Sequence, residues 1–223
     1  MSNEQMDGSL IMGKPPFLTL VHGMKRSGKS VLIRHVCWAY RNEFSYIVVF
    51  SGSEEMNGAY DSYLPKKFIH SNYDSSVMKS VMEKQKKFNQ SNKDINCLVI
   101  FDDCAAFNWR SQKGNPELME LATSNRHMKI SLIIATQSPR LIPNWWRNNA
   151  DYVFLFRHLN GAVEDLYSQL SPMSKKEWHA FYAKHTADYR VIMFCTHAKN
   201  NNELLTVFTI PSDFLNHKFR LMY

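Results

Sequence analysis

Eight consecutive residues, Gly23 to Ser30, have the spacing GxxxxGKS. Glycines let the backbone curl so that its N–H groups point at phosphate oxygens, and a helix that follows adds its positive amino end. The lysine can reach the β- and γ-phosphates, and the serine can bind Mg²⁺. The sequence therefore predicts an ATP and Mg²⁺ site formed by Gly23, Met24, Lys25, Arg26, Ser27, Gly28, Lys29 and Ser30.

Two carboxylates, Asp102 and Asp103, follow the apolar run 97–101. A carboxylate at the end of a neighbouring parallel strand faces such a phosphate loop. We expect Asp102 to hold the Mg²⁺ shell together with Ser30, and Asp103 to orient or deprotonate the attacking water. The alternative is a solvated acidic turn, which the presence of the phosphate loop disfavours.

Three further polar side chains flank the next apolar runs. Gln137 directly follows the run 130–136, where it can sense the γ-phosphate or position water. Arg126 precedes that run, and Arg147 precedes the run 152–156. Hydrolysis gains from a cation that neutralises transition-state charge, often supplied by a neighbouring subunit. We expect Arg126 at the sheet end that carries the phosphate loop, with Arg147 as the second candidate, although either arginine can instead form a surface salt bridge.

Aromatic and imidazole side chains adjoin the two arginines. Trp145 and Trp146 stand next to Arg147 and can stack on nucleic-acid bases, but packing against the sheet is the favoured interpretation. His127, beside Arg126, fits a structural role as well as a functional one.

Apolar runs and helical patterns alternate along the chain and define the elements that position these residues. The runs dense in β-branched and aromatic residues predict strands at 17–22, 46–50, 97–101, 130–136 and 152–156. Helical spacing is found at 31–41, 77–88, 117–125, 162–170 and 175–184, and a hairpin is predicted from 190–195 and 204–210. This order predicts an α/β fold, a P-loop NTPase with a mostly parallel sheet covered by helices, whose C-terminal β-hairpin extends one edge antiparallel.

Length and composition suit one such domain. The chain has 223 residues, of which 44% are apolar. The polar stretch 1–14 predicts a flexible N-terminal arm, which leaves 15–223 as a single P-loop ATPase domain.

No apolar run reaches the roughly 18–20 residues of a membrane span and no signal peptide opens the chain, so we expect an intracellular protein that is not integral to a membrane. Four widely separated cysteines favour reduced thiols.

The ordered combination of these motifs resembles the genome-packaging ATPases of large DNA viruses, the poxvirus-type branch of the FtsK/HerA superfamily. In that family an Arg-His pair, here Arg126-His127, leads into the fourth strand, and a glutamine, here Gln137, ends it. An Arg-Asn-x-x-Asp stretch, here 147–151, opens the fifth strand. Lys-Arg-Ser inside the phosphate loop and Asp-Asp-Cys at 102–104 are similar to the same branch.

The resemblance implies an ATP-driven motor that moves double-stranded viral DNA into a preformed capsid. Such motors are homo-oligomeric rings, typically hexamers, in which each ATP site borrows an arginine from its neighbour. The implied partners are double-stranded DNA, bound without regard to sequence, and viral capsid or capsid membrane proteins. The implied location is the host cytoplasm or viral factory, with transient or stable association with the virion. The formal charge of +7 and the lysines between Lys66 and Lys93 are consistent with sequence-independent binding to DNA phosphates.

Other functions share part of this pattern. A small P-loop kinase has the same loop and a strand-end carboxylate, but we find no compact arginine-rich segment that would close over an acceptor. A nucleotide-dependent assembly switch has no need of the water-positioning groups predicted at Asp103 and Gln137. A helicase of the same superfamily remains an alternative that a strand-separation assay distinguishes.

Overall fold

Strands and helices alternate along the computed structural model, which describes residues 12–52, 58–103, 115–171, 173–199 and 204–210. The strands are β1 (Leu18–His22), β2 (Tyr46–Ser51), β3 (Ile69–His70), β4 (Cys97–Asp102), β5 (Ile130–Thr136), β6 (Tyr152–Leu155), β7 (Arg190–Cys195) and β8 (Leu205–Thr209). The helices are α1 (Lys29–Ala39), α2 (Ser75–Gln90), α3 (Pro116–Ser124), α4 (Asn144–Arg147), α5 (Asn160–Leu170) and α6 (Lys175–His185), with 3₁₀ turns at Lys66–Phe68 and Pro139–Leu141.

These strands form one sheet in the order β3-β2-β4-β5-β1-β6-β7-β8, and those from β3 to β6 run parallel. Every residue of β1, β4 and β5 is buried, as expected for parallel strands covered by helices on both faces. In this register His22 lies beside Thr136 and Leu155, and Asp102 lies beside Ala135. The carboxyl ends of these strands therefore meet at one edge of the sheet.

The two faces of the sheet are covered by different helices. On one face Ile33 and Val36 of α1 pack with Val21 and Val49 of the strands. On the other face the apolar sides of α2, α3, α5 and α6 pack against the alternate residues of the same strands, such as Leu20. α1 therefore packs against the face of the sheet on which Val21 of β1 lies.

The C-terminal hairpin extends the sheet as predicted. β7 pairs antiparallel with β6, and β8 pairs antiparallel with β7. The predicted α/β fold of the P-loop NTPase type, with a mostly parallel sheet covered by helices, is confirmed. The asparagine-rich turn of the hairpin, 200–202, lies outside the described residues.

The packed chain begins earlier than the predicted boundary at residue 15. Met12 is only 2% exposed, and its N–H donates to the Tyr40 hydroxyl at 3.1 Å. The Gly13 N–H donates to the Tyr152 hydroxyl at 2.8 Å. Met12 is thus part of the core rather than of an arm, while residues 1–11 of the predicted arm lie outside the described residues. In the described part of the chain, no helix is long and apolar enough to cross a membrane.

Candidate active site

The phosphate loop joins β1 to α1 at the carboxyl edge of the sheet. The Gly23 N–H donates to Thr136 O at 3.2 Å, and the Met24 N–H donates to Arg157 O at 3.0 Å. At the other end of the loop, Gly28 O accepts the first helical hydrogen bond from the Leu32 N–H at 3.0 Å. The loop is therefore anchored to the ends of β5 and β6 as well as to its own helix.

Close packing of the loop against Phe156 explains both of its glycines. A Cβ on Gly23 would lie 2.5 Å from Ser27 Oγ and 2.7 Å from Phe156 Cβ, closer than real Cβ contacts. Gly28 has a φ of +108°, which side chains disfavour, and a Cβ there would lie 3.2 Å from Phe156 Cε1. The sequence pattern thus reflects contacts inside the loop and beneath it.

Lys29, the first residue of α1, reaches back into the loop. Its Nζ donates to Gly23 O at 2.9 Å and to Met24 O at 3.0 Å. Burial lowers the pKa of Lys29, while the charges of Asp102 and Asp103 act in the opposite direction. The ammonium therefore lies inside the loop and within electrostatic reach of both carboxylates, where phosphate oxygens would meet it.

Asp102 is the last residue of β4 and is only 4% exposed. Its Oδ2 accepts a hydrogen bond from the Tyr60 hydroxyl at 2.8 Å. Burial raises the pKa of Asp102, and the Tyr60 hydrogen bond and the Lys29 charge oppose that rise. Tyr60 lies between the predicted strand 46–50 and the predicted helix 77–88, and nothing in its local sequence indicates that it supports a carboxylate 42 residues away.

Asp103 and Gln137, which the sequence predicts to act on the attacking water, lie together at the carboxyl edge of the sheet. The Gln137 amide Nε2 donates to Asp103 Oδ1 at 2.8 Å, which links the ends of β4 and β5. Asp103 has a left-handed φ of +50°, and a Cβ on Gly52 would lie only 2.8 Å from Asp103 O. Gly52, which sequence reasoning did not single out, thus leaves space for the turn that presents Asp103.

The donors available for a metal suit Mg²⁺ held mainly by the nucleotide. The Ser30 side chain is exposed at the start of α1, and the Asp102 carboxylate is buried at the end of β4. In the described part of the chain, no cluster of three or more His, Cys, Asp or Glu side chains forms a metal site of its own. Mg²⁺ typically takes one or two protein ligands and completes its shell with phosphates and water, so this donor set fits.

Arg147 lies on a face of the sheet next to the loop. It lines a pocket of about 280 Å³ with His22 and Leu20 of β1. No residue of the phosphate loop is among the described lining residues of that pocket. Its guanidinium bonds the Asn144 side chain. Of its neighbours, Trp146 is fully buried in the core, which favours packing over base stacking for that side chain.

Arg126 lies at the opposite edge of the sheet from the phosphate loop, so its predicted placement is wrong. It precedes β5, and residues before a strand lie at the amino edge, whereas the loop follows the parallel strand β1. Its guanidinium forms an ion pair with buried Asp151, whose Oδ2 accepts the Leu18 N–H at 2.8 Å at the start of β1. Arg126 therefore cannot serve the ATP site of its own subunit.

The model of the family described as Poxvirus A32 protein matches residues 8–205. The chain belongs to the poxvirus A32 protein family. The match includes the phosphate loop, both strand-end aspartates and Gln137, and it confirms the predicted relationship to the poxvirus-type branch. Together with the fold and the complete loop, it also confirms the predicted class, a P-loop ATPase.

Relatives of the chain are found in Invertebrate iridescent virus 6 and Frog virus 3. An uncharacterized protein of Invertebrate iridescent virus 6, 075L, is 29% identical over 192 residues, which cover 82% of this chain and 72% of that protein. An uncharacterized protein of Frog virus 3, 015R, is 32% identical over 148 residues, which cover 66% of this chain and 45% of that protein. The chain thus spans less than half the length of the second relative.

Solved structures share the fold at lower identity. The genome packaging NTPase B204 of Sulfolobus turreted icosahedral virus 2, in complex with ATP-gammaS, superposes with a TM-score of 0.64. It is 17% identical, and the match covers 87% of this chain and 97% of B204. The pCW3 conjugation coupling protein TcpA matches with a TM-score of 0.58 at 17% identity, over 88% of this chain and 61% of TcpA.

The two aspartates of this A32-family site are expected to fail differently when changed to asparagine. Asp103→Asn keeps an oxygen that can accept the Gln137 amide hydrogen bond, but it cannot take a proton from water. We expect Asp103→Asn to bind ATP and Mg²⁺ with near-normal affinity and to hydrolyse ATP about 10²- to 10⁴-fold more slowly. Asp102→Asn is expected to weaken Mg²⁺ binding itself. Mg²⁺ titrations of ATP binding and turnover distinguish the two, and identical defects would contradict the division of roles.

The buried imidazole of His22 predicts a loss of stability in acid. Burial, assisted by the charges of His158, Arg147 and Lys29, lowers its pKa from 6.5 to about 3. The unfolded chain then binds the extra proton, so the stabilisation is present above about pH 6.5 and is lost as the pH falls toward 3. This residue alone is expected to lower the free energy of unfolding by about 1.4 kcal/mol per pH unit between about pH 6 and 4.

Urea unfolding at pH 7 and pH 5 tests the assignment to His22. His22→Gln is expected to reduce the loss between these two pH values by about 2 kcal/mol. His127→Gln, at an exposed position, is the matched histidine-to-glutamine control. An unchanged pH dependence in His22→Gln would assign the acid sensitivity elsewhere.

Proposed function

We propose that this chain is an ATP-driven translocase that packages double-stranded viral DNA into a preformed capsid. The observation that carries the proposal is the juxtaposition of Lys29 with the bonded pair Asp103 and Gln137 at one sheet edge, in a chain of the poxvirus A32 protein family. A protein of the same fold, B204, is described as a DNA-packaging ATPase, which supports the same use of the site here.

Each group in the site has a part in hydrolysis. The loop N–H groups and Lys29 bind the triphosphate, and Lys29 offsets the charge that develops on the γ-phosphate. Asp103 accepts a proton from the attacking water, which Gln137 helps to orient, as the water oxygen bonds to the γ-phosphorus and ADP leaves. Ser30 and Asp102 would hold Mg²⁺, which supplies further charge neutralisation when bound.

The active unit is a homo-oligomeric ring, typically a hexamer in such motors. The support comes from Arg126, which is 64% exposed in its side chain at the edge away from its own ATP site. A ring in which that edge contacts the next subunit's loop would complete each site with a cation in trans. Capsid or capsid membrane proteins are the partners that would recruit this ring, in the host cytoplasm or viral factory or on the virion.

Double-stranded DNA is the substrate that the ring moves, bound through its phosphates. The chain carries a formal charge of +7. Within the lysine-rich stretch, Lys66 pairs with Asp61 at 3.3 Å and Lys86 pairs with Glu120 at 2.7 Å. The exposed lysines of α2, such as Lys79 and Lys87, are therefore the better candidates for contacts with DNA.

DNA-stimulated ATPase activity and translocation along duplex DNA test the proposal together. Stimulation should be independent of DNA sequence, and the affinity should fall steeply with salt, by about −0.9 in the log–log slope for each phosphate contact. Displacement of a third strand from a duplex would report translocation without strand separation. A flat salt response would contradict the proposed binding to DNA phosphates. A phosphorylated small-molecule acceptor would favour a kinase, and ATP binding without hydrolysis would favour an assembly switch.

A further inference from the structure

A pocket of about 300 Å³ opens beside the phosphate loop, and Asp102 and Asp103 are not among its described lining residues. It is lined by loop residues 24–27 and by Arg157, Asp188 and Tyr189. We propose that this pocket takes the nucleoside of the triphosphate and that the Tyr189 ring stacks on its base. The inference rests on the ATPase activity within the proposed function and adds the group that recognises the nucleoside.

The catalytic groups determine which end of the nucleotide enters this pocket. Asp102, Asp103 and Gln137 lie at the ends of β4 and β5, so the γ-phosphate belongs on that side of the loop. β5 and β6 flank β1 on opposite sides. A triphosphate that crosses the loop therefore leaves it toward β6, where Arg157 follows the strand and the pocket lies.

Tyr189 is placed over the loop at a conformational cost. Tyr189 is 71% exposed, and the other large apolar residues exposed in the described part of the chain are Met119 and Leu159. Its Cδ1 lies 3.8 Å from the position that a Cβ would take on Gly28, so the ring flanks the last glycine of the loop. Both Asp188 and Tyr189 adopt left-handed φ angles, +53° and +57°, which residues with side chains disfavour. A bound base would cover the ring that this turn presents.

Stacking predicts affinity without strong choice among the bases. Every base offers a π-face to an aromatic ring, so this contact tolerates all four. The Thr186 hydroxyl, also in the pocket wall, already donates to Tyr182 O at 2.8 Å. We therefore expect ATP and GTP to bind with similar affinity, and both to bind better than inorganic tripolyphosphate.

Calorimetric binding of ATP, GTP and tripolyphosphate to Tyr189→Ala tests the inference. We expect the Kd for both nucleotides to rise about 5- to 140-fold, which corresponds to about 1–3 kcal/mol at 1.4 kcal/mol per factor of ten. The Kd for tripolyphosphate should stay at the wild-type value, because the loop is unchanged. Tyr189→Phe keeps the ring and should bind all three ligands as the wild type does.

Three results would overturn the assignment of Tyr189. These are unchanged nucleotide affinity in Tyr189→Ala, an equal loss of tripolyphosphate affinity, and a loss of affinity that vanishes when high protein concentration restores assembly. The last result would indicate that the Tyr189 side chain contacts a neighbouring subunit rather than the base. Because the measurement is of binding, failure of DNA stimulation or translocation in the wild type would refute the proposed function and leave this comparison intact.

Discussion

Replacing Lys29 with alanine is expected to remove nearly all ATP turnover while the protein stays folded. The ammonium is held inside the phosphate loop by Gly23 O and Met24 O, where it would meet the β- and γ-phosphates. A preorganised donor of this kind contributes roughly 3–5 kcal/mol to transition-state stabilisation, so turnover should fall about 10²- to 10⁴-fold. Steady-state phosphate release measures the effect.

A matched control for this variant lies outside the site. Lys176 of α6 carries the same charge but is exposed, and Lys176→Ala should retain most of the activity. Burial lowers the pKa of Lys29, so the fold holds this charge at a cost, and its removal should leave the thermal midpoint within a few degrees of wild type. Wild-type hydrolysis by folded Lys29→Ala would refute the assignment of the loop.

Local patterns were sufficient to predict most of the sheet, and the reason is burial. Parallel strands such as β4 and β5 are covered on both faces, so each forms an uninterrupted apolar run with clear ends. The elements that were missed are β3, which has two residues, and α4, which has four. Neither is long enough to show a period, and tertiary contacts rather than a repeating pattern define them.

The parts of the candidate site that are formed by a single segment could be predicted from the sequence. The contacts that the sheet makes between distant segments could not. The phosphate loop, and the Asp103 and Gln137 positions at strand ends, follow from single segments. The contact of Tyr60 with Asp102 joins residues far apart in the chain, so no local signal predicts it. The predicted placement of Arg126 was wrong because it ignored strand direction. β5 runs parallel to β1, so a residue that precedes β5 lies at the edge of the sheet away from the phosphate loop.

The corrected position of Arg126 makes its role a question about two subunits. β5 has seven residues, so Arg126 and the loop are separated by roughly 23 Å at about 3.3 Å per residue, too far for one side chain. If Arg126 stabilises the transition state, it does so in a neighbour's site. Arg126→Ala should then bind ATP with wild-type affinity and hydrolyse it about 10³-fold more slowly. Specific activity of the wild type should rise with protein concentration, because an isolated subunit lacks the cation.

Loss of the ion pair with Asp151 needs its own control, because that contact also joins the turn before β5 to the start of β1. Asp151→Asn removes the pair but leaves the Arg126 guanidinium in place, so it should retain most of the turnover if Arg126 acts in trans. Equal loss in Asp151→Asn and Arg126→Ala would instead indicate a structural role.

Mixing Arg126→Ala with Lys29→Ala distinguishes action in trans from a structural defect. In a mixed ring, a subunit with an intact Lys29 can lie beside a subunit that still has Arg126, and that interface is complete. An equimolar random ring should contain about one quarter of the wild-type number of such interfaces, because each needs one subunit of each kind in a fixed order. Activity should therefore return toward that fraction, although neither variant is active alone. If mixed rings form and stay inactive, Arg126 supplies no cation in trans, and Arg147, on the sheet face beside His22, becomes the candidate.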